Sequence, residues 1–208
     1  MAQALSGAPE TRQSHGLDQF CTSLAERPGM SILDFAGASQ ATVSFVTNYG
    51  HRLYSDDFVH QLDQVFGAGG RNAPSLEFYE NQANPLLVAD FLSAALNFED
   101  QSFDGALLWD SLQFLASPLL QTVVAKLHSM LRPGASLLAL FHTEERIDSI
   151  PTFAYRIHDH RTIQMTSRSQ RRPAQIFNNR NLEKLFEQFH SVKFFLTRDR
   201  LREVIVKR

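Results

Sequence analysis

Apolar residues in this chain fall into two patterns: short, nearly unbroken runs, and stretches where they recur every three or four positions. Met30 to Leu33, Leu86 to Ala89, Phe103 to Trp109 and Ser136 to Phe141 are of the first kind and suit parallel strands covered on both faces. The second kind predicts helices over Leu17–Arg27 and Phe58–Phe66. A longer one starts at Ser117-Pro118, with Ser117 as its cap, Pro118 at the first helical position, and Leu120, Val123, Val124, Leu127, Met130 and Leu131 inward. A last helix follows Asn178-Asn179-Arg180-Asn181, with Leu182, Leu185, Phe186 and Phe189 on its inner face. Between Met30 and Asp57 the order is strand, small-residue turn (Phe35 to Ser39), short amphipathic helix and second strand (Arg52 to Tyr54), the opening of a parallel βαβ sheet. Val192–Thr197 and Glu203–Lys207 form two closing strands. The link Arg198-Asp199-Arg200 is too short for a parallel crossover, so this pair is antiparallel.

Composition narrows the class. The chain has 208 residues, 43% hydrophobic and 20% charged, with a net charge of −2, which fits one globular α/β domain over 17–208. No apolar run approaches the roughly 20 residues of a membrane helix. The opening MAQALSGAPETRQSHG lacks an apolar core flanked by positive charge, so residues 1–16 are expected to be a disordered leader rather than a signal peptide. A single cysteine, Cys21, is expected as a small buried hydrophobe, and a cytoplasmic location is expected. Charge is uneven: residues 1–150 carry 7 Lys+Arg against 17 Asp+Glu, and residues 151–208 carry 13 against 5. The basic end includes an elaboration at 152–180 that suits a small anionic ligand or a protein partner; without interleaved aromatic motifs, nucleic acid is not expected.

In open parallel sheets, ligands sit beyond the carboxyl ends of the strands. Acids stand there in this sequence: Asp34, the pair Asp56-Asp57, Asp90 and Asp110. The Gly67-Ala68-Gly69-Gly70 segment follows a helix and lacks the Lys-Ser/Thr of a phosphate loop, so it reads as a connector. His158-Asp159-His160, between two short strands expected at Tyr155–Ile157 and Thr162–Met165, has no further ligands at metal spacing and reads as turn residues; no metal is expected.

The order of elements from residue 17 to 208 resembles the class I S-adenosylmethionine-dependent methyltransferases, and four local matches carry the likeness. Asp34-Phe35-Ala36-Gly37-Ala38-Ser39-Gln40 stands where the family has D-x-G-x-G-x-G. Asp57, or Asp56 beside it, falls at the ribose-binding acid. FDGALLWDSLQFL is similar to the fourth motif, and LHSMLRPGASLLALF to the family's helix, Pro-Gly turn and strand. The resemblance implies a three-layer Rossmann-like fold with a seven-stranded mixed sheet, its last strand placed antiparallel between its neighbours by the C-terminal hairpin. It implies S-adenosylmethionine as cofactor and S-adenosylhomocysteine as product. Asp34 would order the turn, backbone at Ala36, Gly37 and Ala38 would meet the cofactor, and Asp57 or Asp56 would accept from the ribose hydroxyls. Asp90 and Phe91 would contact adenine, and Trp109 would lie near the sulfonium or the acceptor. All three motif glycines are replaced, by Ala36, Ala38 and Gln40, with Gly37 displaced by one position.

The implied reaction is methyl transfer to a small-molecule acceptor, with Asp110, His142 and His158 as candidate bases. The alternative is a methyltransferase-like binding or assembly protein that has lost catalysis, which the eroded turn and uneven charge would suit. A nicotinamide-dependent oxidoreductase fails on the missing G-x-G-x-x-G.

Overall fold

The computed structural model describes residues 8–25, 27–67, 76–143, 148–197 and 201–208. The chain opens with strand β1 (Glu10–Gln13) and helix α1 (His15–Leu24), where Ser14 caps the helix by accepting from the Leu17 amide. It continues through β2 (Ser31–Asp34), α2 (Gln40–Asn48), β3 (Arg52–Ser55), α3 (Phe58–Phe66), α4 (Leu76–Asn81) and α5 (Pro85–Ala95). Then come β4 (Phe103–Trp109), a short 3-10 turn (Ser111–Phe114), α6 (Ser117–Met130) and β5 (Leu131–His142). A hairpin, β6 (Ile150–Asp159) and β7 (Thr162–Arg171), precedes α7 (Asn179–Leu185) and the closing strands β8 (Ser191–Leu196) and β9 (Leu201–Lys207).

The central sheet has the order β3-β2-β4-β5-β9-β8. Strands β3, β2, β4 and β5 pair in parallel, and β9 is inserted antiparallel between β5 and β8. This is the Rossmann-like α/β arrangement with its last strand between its neighbours. Strand residues alternate between two cores, as the two-residue repeat of a strand requires. Leu137, Ala139 and Phe141 face the side of α3, α5, α6 and α7, while Leu138 and Leu140 face α1 and α2. Cys21 belongs to the second core, and burial pushes its thiol up to about 12, so it serves as an inert hydrophobe.

Three expectations need correction. Leu86–Ala89 is the start of helix α5, not a strand. Asn84 accepts from the Leu86 amide and Pro85 takes the first helical position, a start signal that outweighs the apolar run behind it. The sheet therefore has six strands, with β3 at one edge, and no described residue supplies the seventh.

Second, the leader is not without structure beyond its first residues. Arg12 of β1 reaches Glu203 of β9 at 2.7 Å, β1 pairs antiparallel with β7, and α1 begins at His15; residues 1–7 lie outside the described part. Third, the expected cap Ser117 is already helical and Ala116 precedes it, its amide donating to Gln82 Oε1. The glycine-rich connector lies outside the described residues except Gly67, which ends α3.

The elaboration is larger than two short strands. β6 and β7 span ten residues each and, with β1, make a second sheet ordered β1-β7-β6. Its apolar face, Tyr155, Ile157, Ile163 and Met165, joins the core under α1 and α2. It is tied to α2 where the Ile157 amide donates to Thr42 Oγ1 at 3.1 Å.

Candidate functional site

The carboxyl ends of β2, β3 and β4 meet through backbone register: Asp34 lies opposite Ser55 on one side and Leu107 on the other. Beyond those strands the two connecting loops are zipped together. The Asp56 amide donates to Asp34 O at 3.0 Å, the Gly37 amide to Asp56 O at 3.1 Å, and the Phe58 amide to Phe35 O at 3.2 Å. Gly37 makes this approach feasible. Its φ of +82° favours glycine, and a Cβ there would sit 3.3 Å from that of Asp57. The displaced glycine is thus the one the turn uses. Ser39 caps α2 by accepting from the Thr42 amide, and exposed Gln40 bonds along the helix to Ser44 Oγ, clear of the turn.

Asp34 is fully buried. Its Oδ1 accepts from the Ala36 amide at 3.1 Å and from Trp109 Nε1 at 2.6 Å. Burial pushes the carboxyl up to about 6 against the pull of the Trp109, Ala36 and Ser55 hydrogen bonds. Trp109 ends β4 at φ +52°, buried, its indole stacked on Tyr155 of the hairpin at 4.9 Å between centroids and 5° between planes. Its N–H and one face are therefore engaged inside the protein, and its part is to hold Asp34.

Asp57 is half-buried and caps α3 through Oδ1, which accepts from the His60 amide at 3.1 Å. Its Oδ2 accepts from Arg168 Nη1 of β7 at 2.6 Å, and Arg168 Nη2 reaches Ala36 O at 3.3 Å. The hairpin thus lays a guanidinium across both the turn and the acid expected at the ribose. Ala38 and Asp56 stay at least partly exposed beside it.

The adenine-side residues stand elsewhere than expected, because the segment carrying them is helical. Phe91 is wholly buried between Phe58 (5.2 Å) and Phe66 (5.3 Å), so its ring is core, and its neighbour Asp90 on α5 is exposed.

Of the candidate bases, Asp110 follows Trp109 into the interior, where burial pushes it up to about 7 while Tyr155, Arg168 and Arg171 pull it down. It lines a cavity of about 150 Å³ under the hairpin together with Asp57, His60, Asp63, Arg168 and Arg171. His142, at the end of β5, donates its amide to Gln113 Oε1 at 2.7 Å. His158 is exposed on β6. Asp159 accepts from the Arg161 and Thr162 amides, as a turn residue does, and no metal-binding group of His, Cys, Asp or Glu occurs among the described residues. A larger cavity, about 480 Å³, lies between α6 and α7 against Leu120, Val124 and Leu185, and includes none of the strand-end acids.

Sequence reasoning missed Arg168, Arg171 and Tyr155. The only signal for the two arginines was the excess of basic residues after 151, and Tyr155 had none; which groups each would meet depends on how the hairpin folds back, which periodicity does not encode.

No model of a known protein family matches the sequence, and no curated protein does. Solved structures match in arrangement at low identity. The 1,6-didemethyltoxoflavin-N1-methyltransferase of Burkholderia thailandensis, bound to 1,6-didemethyltoxoflavin and S-adenosylhomocysteine, is 12% identical with a TM-score of 0.48, over 93% of this chain and 76% of that one. A SAM-dependent methyltransferase of Methanosarcina mazei is 15% identical with a TM-score of 0.48, over 90% and 96%. The glycopeptide N-methyltransferase MtfA with S-adenosylhomocysteine is 14% identical with a TM-score of 0.48, over 92% and 87%. Among the described residues, no helix is long and apolar enough to cross a membrane.

Proposed function

We propose that this chain is an S-adenosylmethionine-dependent methyltransferase acting on a small molecule, with the cofactor held where the Phe35–Ser39 turn meets Asp56 and Asp57. One observation carries the reading. A buried acid at the end of β2 orders a turn whose positive-φ glycine packs against an acid at the end of β3. The residues fit the cofactor at its ribose: Asp56 and Asp57 are at least partly accessible, and a carboxylate can accept from both hydroxyls. They do not fit it at adenine through Asp90 and Phe91. When bound, the cofactor supplies a methyl group activated on a sulfonium. The chain's own part is positioning: Trp109 holds Asp34, Asp34 holds the turn, and Asp57 offers its carboxylate once Arg168 has moved off it.

A specific contact favours the second reading, a binding protein without catalysis. Arg168 occupies Asp57 at 2.6 Å, and the Ala36 and Gly37 amides are already committed to Asp34 and Asp56. Calorimetric titration with S-adenosylmethionine and S-adenosylhomocysteine separates the two. Under the first reading both bind, Asp57→Ala weakens them several-fold, and Arg168→Ala tightens them by freeing the acid. Absence of heat at millimolar ligand in both wild type and Arg168→Ala would sink the methyltransferase reading.

A further inference from the structure

The 150 Å³ cavity under the hairpin is built for something other than packing. Arg171 of β7 is 6% exposed at its side chain, an unusual depth for a guanidinium. It is clamped between the rings of Phe78 (5.3 Å) and Phe114 (5.4 Å), and its Nη2 reaches both oxygens of Asp63 at 2.7 Å. Its Nη1 is a buried donor with no hydrogen-bond partner among the described residues. An orphan charged donor is costly to bury, so its persistence beside a cavity points to a ligand that completes it.

The other polar groups of the wall set the sign of that ligand. Asp57 and Asp63 are already taken by Arg168 and Arg171. Thr152 and Ser169, whose hydroxyls share a bond of 2.7 Å, complete the hairpin side. What remains unpaired among the described residues of this wall is the Arg171 Nη1 donor and Asp110 Oδ2, an oxygen that becomes a donor when it carries the proton. At about 30 Å³ per water, the cavity equals roughly five waters, room for one compact polar group but not for a whole nucleoside.

We propose that this cavity is a subsite for a small oxyanion, a carboxylate or phosphate group, that serves as the handle of the methyl acceptor. The acceptor clause rests on the methyltransferase reading; the oxyanion clause does not. Asp110 acts as its gatekeeper. It faces Tyr155, Arg168 and Arg171 within a wall that also holds Asp57, His60 and Asp63. Protonated, it can donate to the anion; ionised, it repels it. Burial holds its carboxyl at about 7, so the anion binds below that pH and is released above it.

Acetate and sulfate, the latter standing for a phosphoryl group, test this without cofactor, because neither changes charge in the relevant range. Isothermal titration of the wild-type chain is expected to show saturable millimolar binding of at least one at about pH 6, weakened about tenfold at about pH 8. The favoured probe tells carboxylate from phosphoryl. Amide NMR shifts at Thr152, Ser169 and Arg171 should move with the same saturation. Asp110→Asn should bind equally at both pH values, while His60→Gln keeps the pH dependence. Arg171→Gln, if circular dichroism shows it folded, should lose binding. No saturable binding of either anion overturns the subsite, as does an unchanged pH dependence in Asp110→Asn. Binding of S-adenosylmethionine without anion binding would sink the subsite alone, and anion binding without cofactor binding would sink only the methyltransferase reading.

Discussion

Asp34 and Asp110 are acids carried into the interior, and each raises a question of what a buried carboxyl costs. In both, the folded state binds a proton more tightly than the unfolded chain, since burial lifts the group from 3.8 to about 6 in Asp34 and about 7 in Asp110. Stability attached to them is therefore greatest at low pH and falls as pH rises through that window. Asp110→Asn removes its share of the penalty. Urea denaturation should show the variant gaining on wild type from about pH 4 upward, with the gap constant above about pH 7; a gap that shrinks with pH would contradict the burial argument. Gly37 poses the opposite case, a residue present for what it lacks. Gly37→Ala is expected to cost roughly 1–2 kcal/mol in left-handed backbone, and its methyl would press on Asp57. Denaturation reads the first effect, and loss of the Ala36–Asp57 bridge by amide exchange reads the second. The sequence made Asp34 and Gly37 legible because each lies inside a local motif. Arg168 and Arg171 were not, since their acids lie 111 and 108 residues away along the chain.

Among the elements, those with local signals were read from sequence and those made by distant pairing were not. α3 was expected over Phe58–Phe66 and is found there, because its apolar spacing and the Asp57 cap coincide. Leu120, Val123, Val124, Leu127 and Met130 of α6 are all buried as expected. α5 misled because an apolar run satisfies a strand and a buried helix alike, and the Asn84-Pro85 start settled it. β1 had no signal at all: ETRQ is polar and becomes a strand only through β7. Yet its Arg12 is nine-tenths buried against a fully buried Glu203, which also accepts from the Gly16 amide. Breaking such a pair from one side strands a charge, so Arg12→Ala should lose about 3–5 kcal/mol, while Arg12→Lys loses less. Stability within experimental error of wild type in Arg12→Ala would mean that the pair contributes little.

Across the whole molecule, the excess of acid before residue 150 and of base after it is partly an internal arrangement. Arg161–Asp18, Arg168–Asp57 and Arg171–Asp63 join the basic hairpin to the acidic body. The position of β9 has a different consequence, for synthesis. Because this strand lies inside the sheet, a nascent chain that stops before residue 201 leaves both β5 and β8 with a bare edge, and Arg12 without its acid. Unpaired edges of this kind recruit other chains. The parallel strands emerge from the ribosome first but have to wait for the last strand to be made, so a stalled or truncated product should be drawn to holding chaperones or aggregate. Ribosome-bound chains ending at residue 200 are expected to be cleaved readily by protease, and chains extended past residue 208 by a tether long enough to clear the exit tunnel are expected to resist.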